Sequence, residues 1–179
     1  MYTGGIKDTL TDEEVKEAIL WGSENKASPE KIIQCYIFGE EKEYNEHGYI
    51  WTKFFRLARL GYQSEATGIP LNEVLVDGIR RDRNLKTIIV TYGDAKGFAD
   101  SYDVRLEQGQ KKVLSQVVRP DKYDYTHLAY PVPPEYAVKV AVEALFLYSE
   151  IDRKAKTVIV LDKGEGREVP FPVNFSRYK

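Results

Sequence analysis

The sequence predicts an α+β fold, with N-terminal helices packed on a mainly antiparallel β-sheet, either sandwich-like or a single curved sheet. Three observations carry this. Apolar residues recur at helical spacing before about residue 80, and they alternate with period two from about residue 86 onward. No helix-length crossover separates the later strands, which favours antiparallel pairing.

The elements follow in order. Thr11 and Glu14 form a capping box, in which the hydroxyl accepts from the Glu14 amide and the carboxylate reaches back to the Thr11 amide. Asp12 and Glu13 add negative charge where the helix dipole is positive. Val15, Ala18, Ile19 and Gly22 then mark one face of the first helix, and Asn25 stops it. Ser28 to Gly39 admits two readings. Ser28-Pro29 can open a helix, but the β-branched and aromatic run into Gly39 favours a buried strand, which is the expectation here. Cys35 in that run reads as a buried, inert thiol.

Glu40 to His47 is a polar, acidic connection. It makes His47 an exposed loop residue, with a pH-sensitive imidazole as the sharper alternative. Gly48 to Thr52 is a short strand running into the clearest helix of the chain. There Phe54, Leu57, Ala58, Gly61, Tyr62 and Glu65 share one face, Arg56, Arg59, Gln63 and Ser64 the other, and Gly68 sits at a left-handed C-cap. Pro70 to Asp77 holds one more short helix, with Leu71, Val74 and Leu75 facing inward.

Thr87 to Tyr92 is a strand ending at Gly93. Tyr102, Val104 and Leu106 alternate with Asp103, Arg105 and Glu107, as in a strand with one wet face. Gly109 turns the chain into Lys112 to Arg119, its hairpin partner, and Pro120 stops that strand. Tyr136 to Glu143 alternates again, which favours a strand, with a helix as the alternative that its alanines allow. Thr157 to Leu161 and Arg167 to Val173 form a second hairpin around Gly164-Glu165-Gly166. No repeat, linker or low-complexity tract divides the chain, so residues 1–179 form one domain.

Composition narrows the function classes. A chain of 179 residues with 42% hydrophobic and 30% charged residues can bury a core without staples. A net charge of −2 argues against a general nucleic-acid binder, which needs a basic footprint. One cysteine excludes an intrachain disulfide, and no apolar run nears the ~20 residues of a membrane span. The N-terminus carries no basic-then-apolar signal, so a soluble protein is expected, either cytoplasmic or an exported domain whose leader was removed. Thirteen tyrosines against seven phenylalanines suit half-buried sheet faces and also interfaces.

The most distinctive stretch is Asp121 to Tyr136. Its prolines remove ladder donors and fix φ, so it cannot be regular structure. Tyr123, Tyr125, His127, Tyr130 and Tyr136 make it the candidate contact loop for a protein, peptide or carbohydrate partner. The plainer reading is a long loop fastened to the sheet by its own rings. Asp121, Asp124 and His127, spaced by three, would converge only on a helix that the prolines forbid, so no metal is expected. His47, His127 and Cys35 could form a nucleophile set only if the fold brought them together.

Gly93-Asp94-Ala95-Lys96-Gly97 follows a strand but lacks the Gly-Lys-Ser/Thr ending of a phosphate loop. Gly164-Glu165-Gly166 is a turn rather than a dinucleotide loop, so no cofactor is expected. Arg80, Arg81, Arg83 and Lys86 are interleaved with Asp77 and Asp82, which reads as a solvated face, with a weak anion site as the alternative. Asn174-Phe175-Ser176 matches the glycosylation triplet by chance.

The first reading is therefore a non-catalytic binding or structural module using the tyrosine–proline loop. The alternatives are a hydrolase using paired carboxylates on a polar polymer, and a homo-oligomeric assembly module that adds strands at an exposed edge.

Overall fold

The computed structural model describes residues 5–42, 44–121 and 138–178. The capping box at Thr11 opens helix α1 (Asp12–Glu24), with the Glu14 amide 3.2 Å from the hydroxyl, and Asn25 closes it. Helix α3 (Lys53–Thr67) starts at Thr52, whose hydroxyl accepts from the Phe55 amide, and ends at Gly68 with φ +69°. The two helices cross at glycines. A Cβ on Gly22 would lie 1.8 Å from the Ala58 carbonyl oxygen, and one on Gly61 2.1 Å from that of Ile19, so only bare backbone permits this approach.

Ser28 to Gly39 departs from the expected strand. Pro29 opens a short helix α2 (Pro29–Gln34), and only β1 (Ile37–Gly39) is extended. Proline at the first helical turn loses no hydrogen bond, and the helix buries Ile32 while leaving Ile33 outside. Cys35 ends that helix, so its thiol is exposed rather than buried and donates to the Lys31 carbonyl.

Helix α4 (Glu73–Arg81) is also phased differently. Asn72 caps its start, and the inward residues are Val76 and Ile79, while Val74 and Leu75 face out. Val76 and Ile79 join Leu10, Val15, Ala18, Phe54 and Leu57 in a small core among α1, α3 and α4.

The remaining strands are β2 (His47–Trp51), β3 (Asn84–Gly93), β4 (Asp103–Gln108), β5 (Lys111–Leu114), β6 (Val117–Pro120), β7 (Val138–Leu147), β8 (Thr157–Asp162) and β9 (Glu168–Val173). They form two wholly antiparallel sheets, ordered β1-β2-β3-β7-β6 and β5-β4-β8-β9. The fold is thus the α+β class read from the sequence, in its sandwich form. The division into early helices and late strands is incomplete, because β1 and β2 precede α3.

The predicted strand Lys112 to Arg119 is in fact two. β5 stays with β4, whereas the Gln116 amide bonds Leu145 and β6 crosses to the other sheet. His47 is buried at 4% exposure on β2, not exposed in a loop, and its Nδ1 donates to the Asn45 carbonyl.

The ladder β3–β7 is the spine of the larger sheet, running from Asn84↔Leu147 to Gly93↔Val138. Its inner face, including Leu85, Ile89, Val142 and Phe146, packs with Val104, Leu106, Ile159 and Phe171 of the smaller sheet and with Phe55 of α3 in one continuous core. Phe38 meets Phe171 edge-on at 5.2 Å, joining the sheets. No helix among the described residues is long and apolar enough to cross a membrane.

Candidate functional site

One end of the spine carries an aromatic pocket. β3 ends at Gly93, and the ring of Phe98 occupies the space a side chain there would fill, 2.3 Å from an ideal Cβ. Glycine is therefore required for the chain to fold back over its own strand. The fold-back is a run of tight turns, with Gly97 at φ +86° and amide bonds from Asp100 to Gly97 and from Tyr102 to Ala99. Ala99 is fully buried beneath it, and Tyr102 meets Phe98 edge-on at 5.8 Å.

The tip of the β8–β9 hairpin forms the facing wall. Gly164, Glu165 and Gly166 all adopt positive φ, a strained choice only for Glu165. The turn is closed by the Lys163 amide on the Arg167 carbonyl at 2.9 Å and the Arg167 amide on the Gly164 carbonyl at 3.0 Å. Lys163 and Arg167 thereby face Tyr92, Asp94, Phe98 and Tyr102 across a pocket of about 500 Å³.

Charge in the pocket is partly committed. The Glu46 carboxylate pairs with Lys163 and accepts from the Thr91 hydroxyl at 2.9 Å, linking the smaller sheet to the larger. Among the described residues Arg167 pairs with Glu165, at 3.6 Å, and both are exposed, so that pair is weak. The Tyr102 hydroxyl has its pKa raised, chiefly by burial, with Glu46 and Asp94 adding to the shift and Arg167 opposing it. It therefore serves as a neutral hydrogen-bonding group rather than a phenolate. Ring faces, one weakly paired guanidinium and one carboxylate suit a polar ligand with an apolar face.

The residues singled out from sequence fall unevenly. Tyr123, Tyr125, His127, Tyr130 and Tyr136, together with Asp124, lie outside the described residues. The described flanks are fixed to the spine: the Asp121 amide bonds the Ala141 carbonyl at 2.7 Å, and Val138 pairs with Gly93, itself a pocket residue. Buried His47 and exposed Cys35 supply no nucleophile pair.

Two carboxylates elsewhere are perturbed in the wrong direction for a general acid. Burial pushes Glu143 up, but Lys86 and Arg119 outweigh it and hold the pKa below the usual range. Asp82 behaves likewise through Arg56 and the Asn84 amide. Among the described residues no group of three or more His, Cys, Asp or Glu is placed to hold a metal. Lys163, Arg167 and Phe98 were not legible as site residues. The nearest signal was a strand glycine followed five residues later by an aromatic.

No family model matches the chain, and no curated protein matches it in sequence. A crystal structure of a novel protein of unknown function from Burkholderia pseudomallei K96243 superposes with a TM-score of 0.50, covering 94% of this chain and 95% of that one. The two chains share a fold. At 10% identity the likeness extends no further than that.

Proposed function

We propose that this chain is a non-catalytic binding module that takes a carbohydrate or an extended peptide. Its contact surface would combine the aromatic pocket with the tyrosine–proline segment 123–136. The observation that carries this reading is the convergence of Tyr92, Phe98, Tyr102 and Arg167 beside the Gly93–Val138 pair, where that segment rejoins the spine. Rigid rings give contact area at low entropic cost, and a weakly held arginine supplies a polar anchor.

The other readings find less support. Asp94 is the one carboxylate lining the pocket among its described residues, and neighbouring Glu46 is committed to Lys163 and the Thr91 hydroxyl, which argues against the paired carboxylates of a hydrolase. Strand addition is opposed at β9, where Pro170 and Pro172, two residues apart, strip amide donors from one side of an edge strand.

Glycan and peptide arrays probed with the full chain test the proposal. The wild type should bind a chemically related subset, and Arg167→Ala, at an exposed turn residue, should lose most of that signal while remaining folded by circular dichroism. Arrays without reproducible binding, or binding indifferent to Arg167→Ala and Tyr102→Ala alike, would overturn it.

A further inference from the structure

The opposite end of the spine carries a second pocket of different chemistry. Where Asn84 pairs with Leu147, the C-terminus of α4, the segment before α1 and a 3-10 turn (Tyr148–Glu150) surround about 470 Å³. Four cations line it, Lys53, Arg80, Arg81 and Arg83, against two carboxylates, Asp8 and Asp82.

Both carboxylates are neutralised by arginines that do not line the pocket. Arg56 holds Asp82 at 2.5 Å, and Arg153 holds Asp8 at 3.1 Å. Arg80 pairs with Asp12 at 2.5 Å, and Arg81 pairs loosely with Asp77 at 3.5 Å. Lys53 and Arg83 remain, and neither pairs with a carboxylate among the described residues.

Lys53 is 2% exposed, and its ammonium donates to the carbonyls of Asp8 and of Arg80, the latter at 2.6 Å. That uses two of its three N–H groups among the described residues. The Tyr148 side chain is equally buried. Its oxygen lies near the Lys53 backbone amide, but its O–H finds no acceptor among the described residues. A buried O–H without an acceptor is uncommon and asks for one.

We propose that this pocket binds a phosphoryl group, as a phosphomonoester or free phosphate, through Lys53, Arg83 and the Tyr148 hydroxyl. A phosphomonoester carries roughly −1.5 to −2 charges at pH 7, matching two uncompensated cations, whereas a single carboxylate would leave one unmatched. The α4 C-terminus opposes an anion with about −0.5 of a charge. That is smaller than two full cations, and Lys53 already occupies the Arg80 carbonyl. Thr9 and Ser149 at the rim are placed to meet the hydroxyls of an ester group.

Calorimetric titration of the full chain with inorganic phosphate, phenyl phosphate and acetate tests this. Saturable binding of either phosphate compound is expected, with acetate bound far more weakly, and the tighter of the two identifies whether the source is the free ion or the ester. Arg83→Gln changes an exposed side chain without an ion pair among the described residues and should weaken binding roughly tenfold or more. Tyr148→Phe should weaken it by a smaller factor, and Lys163→Gln at the other pocket should leave it unchanged. No saturable binding, acetate binding equal to phosphate, or Arg83→Gln binding like wild type would each overturn the assignment.

Discussion

The two ends of the β3–β7 spine lie about 30 Å apart by strand rise, and the same ladder supports opposite chemistries at each. At Gly93 the roof is made of tight turns with glycines in the left-handed region, and these fold rings back over the strand. At Asn84 the roof is made of helix ends. Exposed carbonyls at the end of α4 and before α1 recruit a buried lysine, and the arginines in and just after the last turn of α4 then outnumber the local carboxylates. The sheet thus sets the position of each pocket while its roof sets the chemistry.

The largest effect should come from breaking the helical roof. Gly22→Ala forces a Cβ onto the backbone of Ala58, which cannot yield as a side chain can. It is expected to cost about 3 kcal/mol or more in urea unfolding, or to prevent folding. The equivalent change at Gly164 or Gly166, where nothing lies within 4 Å of an added Cβ, should cost only the positive-φ strain.

Next is Lys53→Met, which keeps the buried stem but strands the Asp8 and Arg80 carbonyls. A loss of about 1–3 kcal/mol is expected, while the aromatic pocket's amide resonances stay in place. An unchanged midpoint would mean that water satisfies both carbonyls and that the helix ends do not depend on the lysine.

A smaller effect is confined to acid. Asp82 has a folded pKa below its ordinary value of 3.8, because the Arg56 and Asn84 contacts outweigh the burial that would raise it. Such a group stabilises the fold above the unfolded pKa, and that contribution disappears as pH falls through the folded value. Asp82→Asn should therefore be less stable than wild type near neutral pH and should show a flatter decline in melting temperature below about pH 4. Parallel curves for the two proteins would show that the ion pair contributes nothing measurable.

What could be read in the sequence was what short-range chemistry decides. The Thr11 capping box, the Gly68 cap and the β8–β9 hairpin all follow from residues within a few positions of each other. Ser28 to Gly39 misled because Pro29 and the β-branched run pull in different directions, and the helix start prevailed. For His47 the acidic run before it suggests solvent, whereas its register opposite Val90 buries it. The aromatic pocket was hidden for a plainer reason. Phe98 and Arg167 come together only because β8 pairs with β4, a contact between residues more than fifty positions apart that no local pattern announces.

The central claim is that the aromatic end of the spine is a ligand surface. Its most direct test is chemical-shift mapping of the ¹⁵N-labelled full chain with the best array ligand. Saturable shifts are expected at Gly93, Asp94, Phe98, Tyr102 and Arg167, with Arg83 and Ser149 at the far end unmoved. Shifts confined to the far end, or spread evenly over both sheets, would contradict it.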